Sequence, residues 1–191
     1  MKNKEEKREL ILQAALRNFA EEGFDRATMQ NIAKSAGVGK GTTYEYFPSK
    51  EALFCEVLLK GISNMVDELT AVLQQPGTVH EKVERLFQKN LEIFRTKSDL
   101  RAIMLNNIGK IPADLHRQLM EKQRELLGTM ERIFTEAIQA DEMVDVPPRI
   151  AAAAVLNGLQ VIYTYQLEKG ETYESVIEHY LKLIFHGLDK R

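Results

Sequence analysis

The chain has 191 residues, 44% of them apolar and 28% charged, with a net charge of −2. That apolar fraction suits an ordinary globular core, the near-neutral charge excludes a uniformly basic nucleic-acid coat, and the single cysteine, Cys55, excludes an intramolecular disulfide framework. No run of about eighteen uncharged apolar residues is present and the opening MKNKEEKREL lacks an apolar signal core, so a cytoplasmic protein with no membrane span is expected.

The length suits a small domain fused to a larger one, and the charge is uneven: residues 1–50 carry +2 and the remainder −4. Lys4 to Glu22 reads as a helix with Ile11, Ala14, Ala15 and Phe19 on one face, ended by Gly23. The basic cluster Lys2, Lys4, Lys7 and Arg8 either touches flanking phosphates or is a solvated end. Phe24 is placed to plug the small core behind the next elements.

Thr28 to Ala36 follows, with Met29, Ile32, Ala33 and Ala36 spaced i, i+3, i+4, i+7 on one helical face. Thr28 caps that helix and Gly37 ends it, glycine accepting the left-handed backbone such an end requires. The next helix, Lys40 to Phe47, differs in kind. Its outward positions are Lys40, Gly41, Thr42, Tyr44, Glu45 and Tyr46, and only Thr43 and Phe47 face inward. A short helix braced from behind and carrying donors in front matches what the major groove admits and what base edges can be read by. Gly41 lets the backbone approach the sugar-phosphate, and the Tyr44 and Tyr46 hydroxyls can reach phosphate oxygens. Ser49 caps the helix after it, and Lys50 stands in that helix's first turn, where exposed N–H groups attract phosphate.

Glu51 to about Gln74 continues as a long helix joining reader to body, ended by Gln75-Pro76-Gly77. Thr78 and Glu81 form a capping box for a helix carrying Val83, Leu86, Phe87, Asn90, Leu91 and Phe94 inward. Ser98 to about Gly109 and Pro112 to about Ala140 are further helices. Pro147-Pro148 opens a helix predicted to run to about Leu167, and Thr172 starts the last. No strand alternation appears, so the fold is expected to be all-α with about nine helices: a three-helix reader at 1–50 and a larger ligand-binding and dimerisation domain at 51–191. The helix at about 148–168 is apolar nearly all round and the last, about 172–188, has a broad apolar stripe. Pairing both with their twins across a two-fold buries the surplus and sets two recognition helices about 34 Å apart on a palindromic site. Candidate effector contacts are Phe87, Leu91, Phe94, Met104, Ile108, Met130, Phe134, Asn157, Gln160 and Tyr163, a set of aromatics, methionines and amides suited to a largely apolar small molecule. Each is also explained as ordinary core.

The stretch GVGKGTTYEYFPSKEALF, with AALRNFAEEGFDRATMQNIAKSAG before it, resembles the helix-turn-helix signature of the TetR family of one-component transcriptional regulators. The resemblance covers roughly the first sixty residues. It implies a homodimeric all-helical repressor that binds double-stranded DNA and releases it when a small molecule enters the C-terminal domain, with contacts expected from Thr28, Gly39, Lys40, Gly41, Thr42, Tyr44, Glu45, Tyr46 and Lys50. Three positions depart from the family's pattern. Gly39 stands where a hydroxyl is usual, Thr43 replaces a large aliphatic, and Pro48 replaces a residue that is often basic. Glu45 faces a polyanion and is repelled unless it accepts from a cytosine amino group. Against this stands a helical-bundle carrier or enzyme without DNA function. His80, His116, His179 and His186 are scattered, and no metal spacing, Walker loop, G-x-S-x-G or dinucleotide fingerprint appears, so neither enzyme activity nor a cofactor is expected.

Overall fold

The computed structural model describes residues 3–106 and 112–187. Among them are ten helices and no strand: α1 (Lys4–Glu22), α2 (Met29–Ala36), α3 (Lys40–Tyr46), α4 (Lys50–Leu73), α5 (Val79–Thr96), α6 (Ser98–Asn106), α7 (Ala113–Gln139), α8 (Pro148–Gly158), α9 (Val161–Thr164) and α10 (Tyr173–His186). The all-α class is as expected. Ile108, Lys2, the expected end of α6 near Gly109 and the residues beyond Gly187 lie outside the described residues.

The chain forms two compact units, Met1–Asn64 with Lys97–Met120, and Met65–Thr96 with Glu121–Arg191. A boundary after residue 50 follows the sequence motif, whereas the compact units follow contact between helices. The first unit therefore takes in α6 and most of α4, because α6 packs on α1 and Leu100 presses against Gly61, where a Cβ would meet Leu100 Cδ1 at 2.7 Å.

In the first unit, helix starts and stops follow side-chain chemistry. Asn3 and Glu6 cap α1 reciprocally, with Glu6 N donating to Asn3 Oδ1 at 2.7 Å and Asn3 N to Glu6 Oε2 at 2.9 Å. Thr28 Oγ1 accepts from Asn31 N at 3.1 Å to open α2, and Gly37, at φ 67°, closes it while Val38 N reaches back to Ala33 O. The core behind them is aromatic: Phe19 meets Phe54 edge to face at 5.3 Å, and Phe24 sits 4.8 Å from Phe54. Ile11, Ala14, Ala15, Ile32 and Leu53 fill the remainder, all fully buried.

In the second unit, α5 supplies the central apolar face through Val83, Leu86 and Phe87, and α7 adds Met130 and Phe134. The Thr78–Glu81 capping box forms as read from sequence. Two cations near the start of α5 hold carbonyls at the end of α4 and in the turn after it: Lys82 Nζ donates to Leu73 O at 2.9 Å and to Gln75 O, and Arg85 donates to Pro76 O at 2.9 Å. Such side chains satisfy carbonyls that a helix C-terminus leaves without intrahelical partners.

The expected single helix from about 150 to 167 is corrected. It stops at Gly158, turns through Leu159 and Gln160 with i→i+3 bonds, resumes only for Val161–Thr164, and is extended at Tyr165. Gly158 weakens the helix at that point, and its bare Cα admits the ring of Tyr180 from α10. The apolar run reads as continuous in sequence because apolarity alone does not mark a break of this kind.

Candidate functional site

The nucleic-acid candidate is the α2–α3 pair in the first unit. α2 turns its apolar stripe inward and stops at Gly37, so the chain reverses within three residues and enters α3 through Gly39. Gly39 caps with no side-chain bond, leaving the N–H groups of the first turn of α3 without a side-chain acceptor there. Behind α3, Thr43 and Phe47 are fully buried, and the Thr43 hydroxyl donates to Gly39 O at 3.4 Å. Arg8 braces Phe47 from outside: its guanidinium lies 5.3 Å over the ring and pairs with Glu56 of α4. Sequence reading had placed Arg8 only in a basic cluster. Its aromatic and acidic partners are distant in sequence, so no local pattern marked them.

In front, Lys40, Gly41, Tyr44 and Glu45 are exposed, and Thr42 and Tyr46 are half-buried. Gly41 meets nothing within 4 Å of a would-be Cβ, so its surface is open to an approaching backbone. Gly39 and Thr28 are exposed at the starts of α3 and α2. Seven of the nine residues expected at DNA thus sit on α3 or at its N-cap, and Thr28 caps α2 in front of it in the chain. Lys50 is placed differently. Its ammonium donates to the carbonyls of Phe24, Asp25 and Ala27 at 2.8, 3.2 and 3.0 Å and lies 4.5 Å over the Phe24 ring.

The effector candidates do not form one wall. Phe87, Leu91, Met130 and Phe134 are buried in the second unit. Phe94 and Tyr163 meet edge to face at 5.2 Å, and Tyr173 meets Phe94 edge to face at 5.1 Å. Met104 belongs to the first unit, and Ile108 is outside the described residues. Asn157 and Gln160, named from sequence as effector contacts, are exposed in this chain rather than buried. Asn157 stands on the outer face of α8, and at the break that follows Leu159 is buried while Gln160 is exposed. In the second unit Asn90 on α5 is a buried amide, which donates to Leu159 O at 2.9 Å and accepts from the Tyr163 hydroxyl at 3.3 Å. Its inward position was legible from helical spacing, but its partners lie 69 and 73 residues away.

The second unit also has a groove of about 480 Å³ between α5 and α10, lined by Gln88, Leu91, Ile177, Leu181 and the two histidines His80 and His186 among others. Leu91 is the one effector candidate that reaches it. His80 stacks on Phe185 at 4.3 Å. Among the described residues no group of three or more His, Cys, Asp or Glu is arranged to hold a metal ion, and no helix is long and apolar enough to cross a membrane. Burial pushes the Cys55 thiol up, with Glu51 adding to the effect, which is opposite to the lowered pKa of an activated thiolate.

Residues 11–57 match the family Bacterial regulatory proteins, tetR family, and residues 76–188 match the family Tetracyclin repressor-like, C-terminal domain. Over 187 residues the chain is 38% identical to YvdT, an uncharacterised HTH-type transcriptional regulator of Bacillus subtilis strain 168, covering 92% of this chain and 93% of that protein. The solved structure of FadR from Bacillus subtilis in complex with stearoyl-CoA superposes with a TM-score of 0.75 at 21% identity, covering 95% of this chain and 99% of that one. AibR, solved with isovaleryl coenzyme A and operator DNA, gives a TM-score of 0.71 at 20% identity, covering 94% and 98%.

Proposed function

The chain belongs to the TetR family of bacterial transcriptional regulators and is a DNA-binding regulator; from that premise we propose that it is a repressor, binding a palindromic operator as a homodimer and leaving it when an acyl-coenzyme A thioester occupies the second unit. The observation that carries the DNA half is the α3 surface, where Lys40, Gly41, Tyr44 and Glu45 are exposed while Thr43 and Phe47 anchor the helix from behind. Thr28, Gly39, Thr42 and Tyr46 complete the contact face. The ligand class is supported by the two relatives solved with acyl-coenzyme A, and by the apolar side chains buried in the second unit, Phe87, Leu91, Met130 and Phe134 among them. The dimer is supported by apolar side chains left at the surface of α8, α10 and the link after α9: Ile150 is 67% exposed, and Leu183 and Tyr165 are each 39% exposed.

Release follows from α4, which contributes residues to both compact units as one unbroken helix. Lys82 fastens the Leu73 carbonyl at the end of α4 to α5, and Arg85 holds the turn that follows at Pro76, so a ligand that displaces α5 displaces the end of α4. The reader domains of the two protomers then lose the spacing that adjacent grooves demand, at a coupling of about 1–3 kcal/mol.

The test is a fluorescence-anisotropy titration of the protein against a duplex selected by it from random sequence, with stearoyl-CoA and isovaleryl-CoA added to the preformed complex. Release by either thioester, with light scattering giving the mass of two chains, supports the reading. A stable complex in saturating amounts of both removes the ligand class, and a single-chain mass removes the dimer.

A further inference from the structure

A lysine in the first turn of a helix faces the positive end of the macrodipole, so its charge there is unfavourable unless something else holds it. Lys50 occupies that position in α4, and what holds it is the turn between α1 and α2. Gly23, at φ 79°, lets the chain reverse, and Ala27 N closes the turn on Gly23 O at 3.1 Å. The carbonyls of Phe24, Asp25 and Ala27 then converge on one point, and Lys50 Nζ sits there at 2.8, 3.2 and 3.0 Å with the Phe24 ring beneath it. An ammonium has three N–H donors, and all three have acceptors here. A phosphate reaching Nζ would have to displace a carbonyl of this turn.

We propose that Lys50 is a positioning residue of the DNA reader: by fixing the Phe24–Ala27 carbonyls it sets where Thr28 starts α2, and hence how α3 is presented, without itself touching a phosphate. The inference deepens the DNA-binding reading and rests on it. It also separates Lys50 from Lys40, whose side chain stands exposed at the start of α3.

The two roles differ in their salt dependence. Each phosphate contact adds about 0.9 to the slope of log affinity against log salt, so Lys40→Ala is expected to lower that slope by about one. Lys50→Met is expected to weaken binding to the selected duplex by about tenfold, the energy of one charge-assisted hydrogen bond, with the wild-type slope kept. Lys50→Arg guards against a variant that fails to fold. A planar guanidinium keeps the charge and binds phosphate at least as well, but its fork does not fit three carbonyls converging on a point. Arginine is therefore expected to lose affinity as methionine does, again at constant slope.

A slope reduced by about one in Lys50→Met, or full affinity in Lys50→Arg, makes Lys50 a phosphate contact and overturns the proposal. A lowered melting temperature with unchanged affinity makes its role merely structural and overturns it too. Failure of the wild-type protein to select any duplex removes the DNA-binding reading and Lys50's role with it, a result distinct from any that affects the variants alone.

Discussion

The side-chain amide of Asn90 donates a 2.9 Å hydrogen bond to the main-chain carbonyl of Leu159, 69 residues further along the chain. In an unbroken helix the N–H of Tyr163 would serve that carbonyl, but Tyr163 N bonds Gln160 O instead. The break between α8 and α9 thus releases an acceptor into the interior, and Asn90, itself buried, takes it up while receiving the Tyr163 hydroxyl. Asn90→Leu leaves the carbonyl buried without this donor, and a loss of about 1–3 kcal/mol is expected in urea denaturation. Asn90→Asp should be at least as harmful, because an ionised carboxylate cannot donate. Wild-type stability in both variants would show that the bond contributes nothing.

Gly158 lies one residue before that carbonyl, and a Cβ on it would sit 2.2 Å from Tyr180 Cε1. A tyrosine that yields also disturbs its contact with Phe87, whose ring is 5.6 Å away. Gly158→Ala gains about 1 kcal/mol of helix propensity and meets an overpacking penalty of about 1–3 kcal/mol, so net destabilisation is expected. Combining it with Tyr180→Leu should remove the clash and show positive coupling in a double-mutant cycle. Strict additivity of the two changes would mean that the contact is not felt.

On the reader, Lys40→Ala and Tyr44→Phe should each weaken operator binding, and Glu45→Ala should tighten it or broaden sequence preference. A carboxylate turned to a polyanion is repelled except where it accepts from a cytosine amino group. These outcomes are read by anisotropy against the selected duplex and against one with substituted half-sites. Complete loss of binding on Glu45→Ala would place the wrong face of α3 at the DNA.

The Glu9 carboxyl is held below the ordinary carboxylate range, first by its hydrogen bond from Lys60, with Gln13 and Arg8 adding to the effect against a smaller opposing push from burial. A carboxyl whose folded value is depressed contributes stability above its unfolded value and loses it as pH falls through the folded one. Glu9→Gln should therefore be less stable than wild type near neutrality and match it in acid. A stability difference independent of pH from 7 to about 3 would remove the ion pair as its cause.

Helix starts and stops were legible because they are local. Thr28, Gly37, Ser49, Thr78 and Thr172 act on backbone groups within a few residues, and each stands at the helix end read from sequence. The accessible face of α3 was legible for the same reason, since helical periodicity divides Thr43 and Phe47 from Lys40, Tyr44 and Glu45. The effector residues were not, because a Phe or Met on an apolar face reads the same whether it meets a ligand or a neighbouring helix.

What the sequence determined by itself is the all-helical class, the reader and its likeness to a known family, all carried by short-range spacing and capping. What only the tertiary structure decided is where long side chains end. Lys50 reaches back to the Phe24–Ala27 turn, Arg8 covers Phe47, and Asn90 meets a carbonyl freed by a break that apolar sequence concealed. The reason is physical: a helix is specified by neighbours within four residues, whereas the partner of a flexible or buried polar group is whichever unsatisfied group folding brings within hydrogen-bonding distance of it.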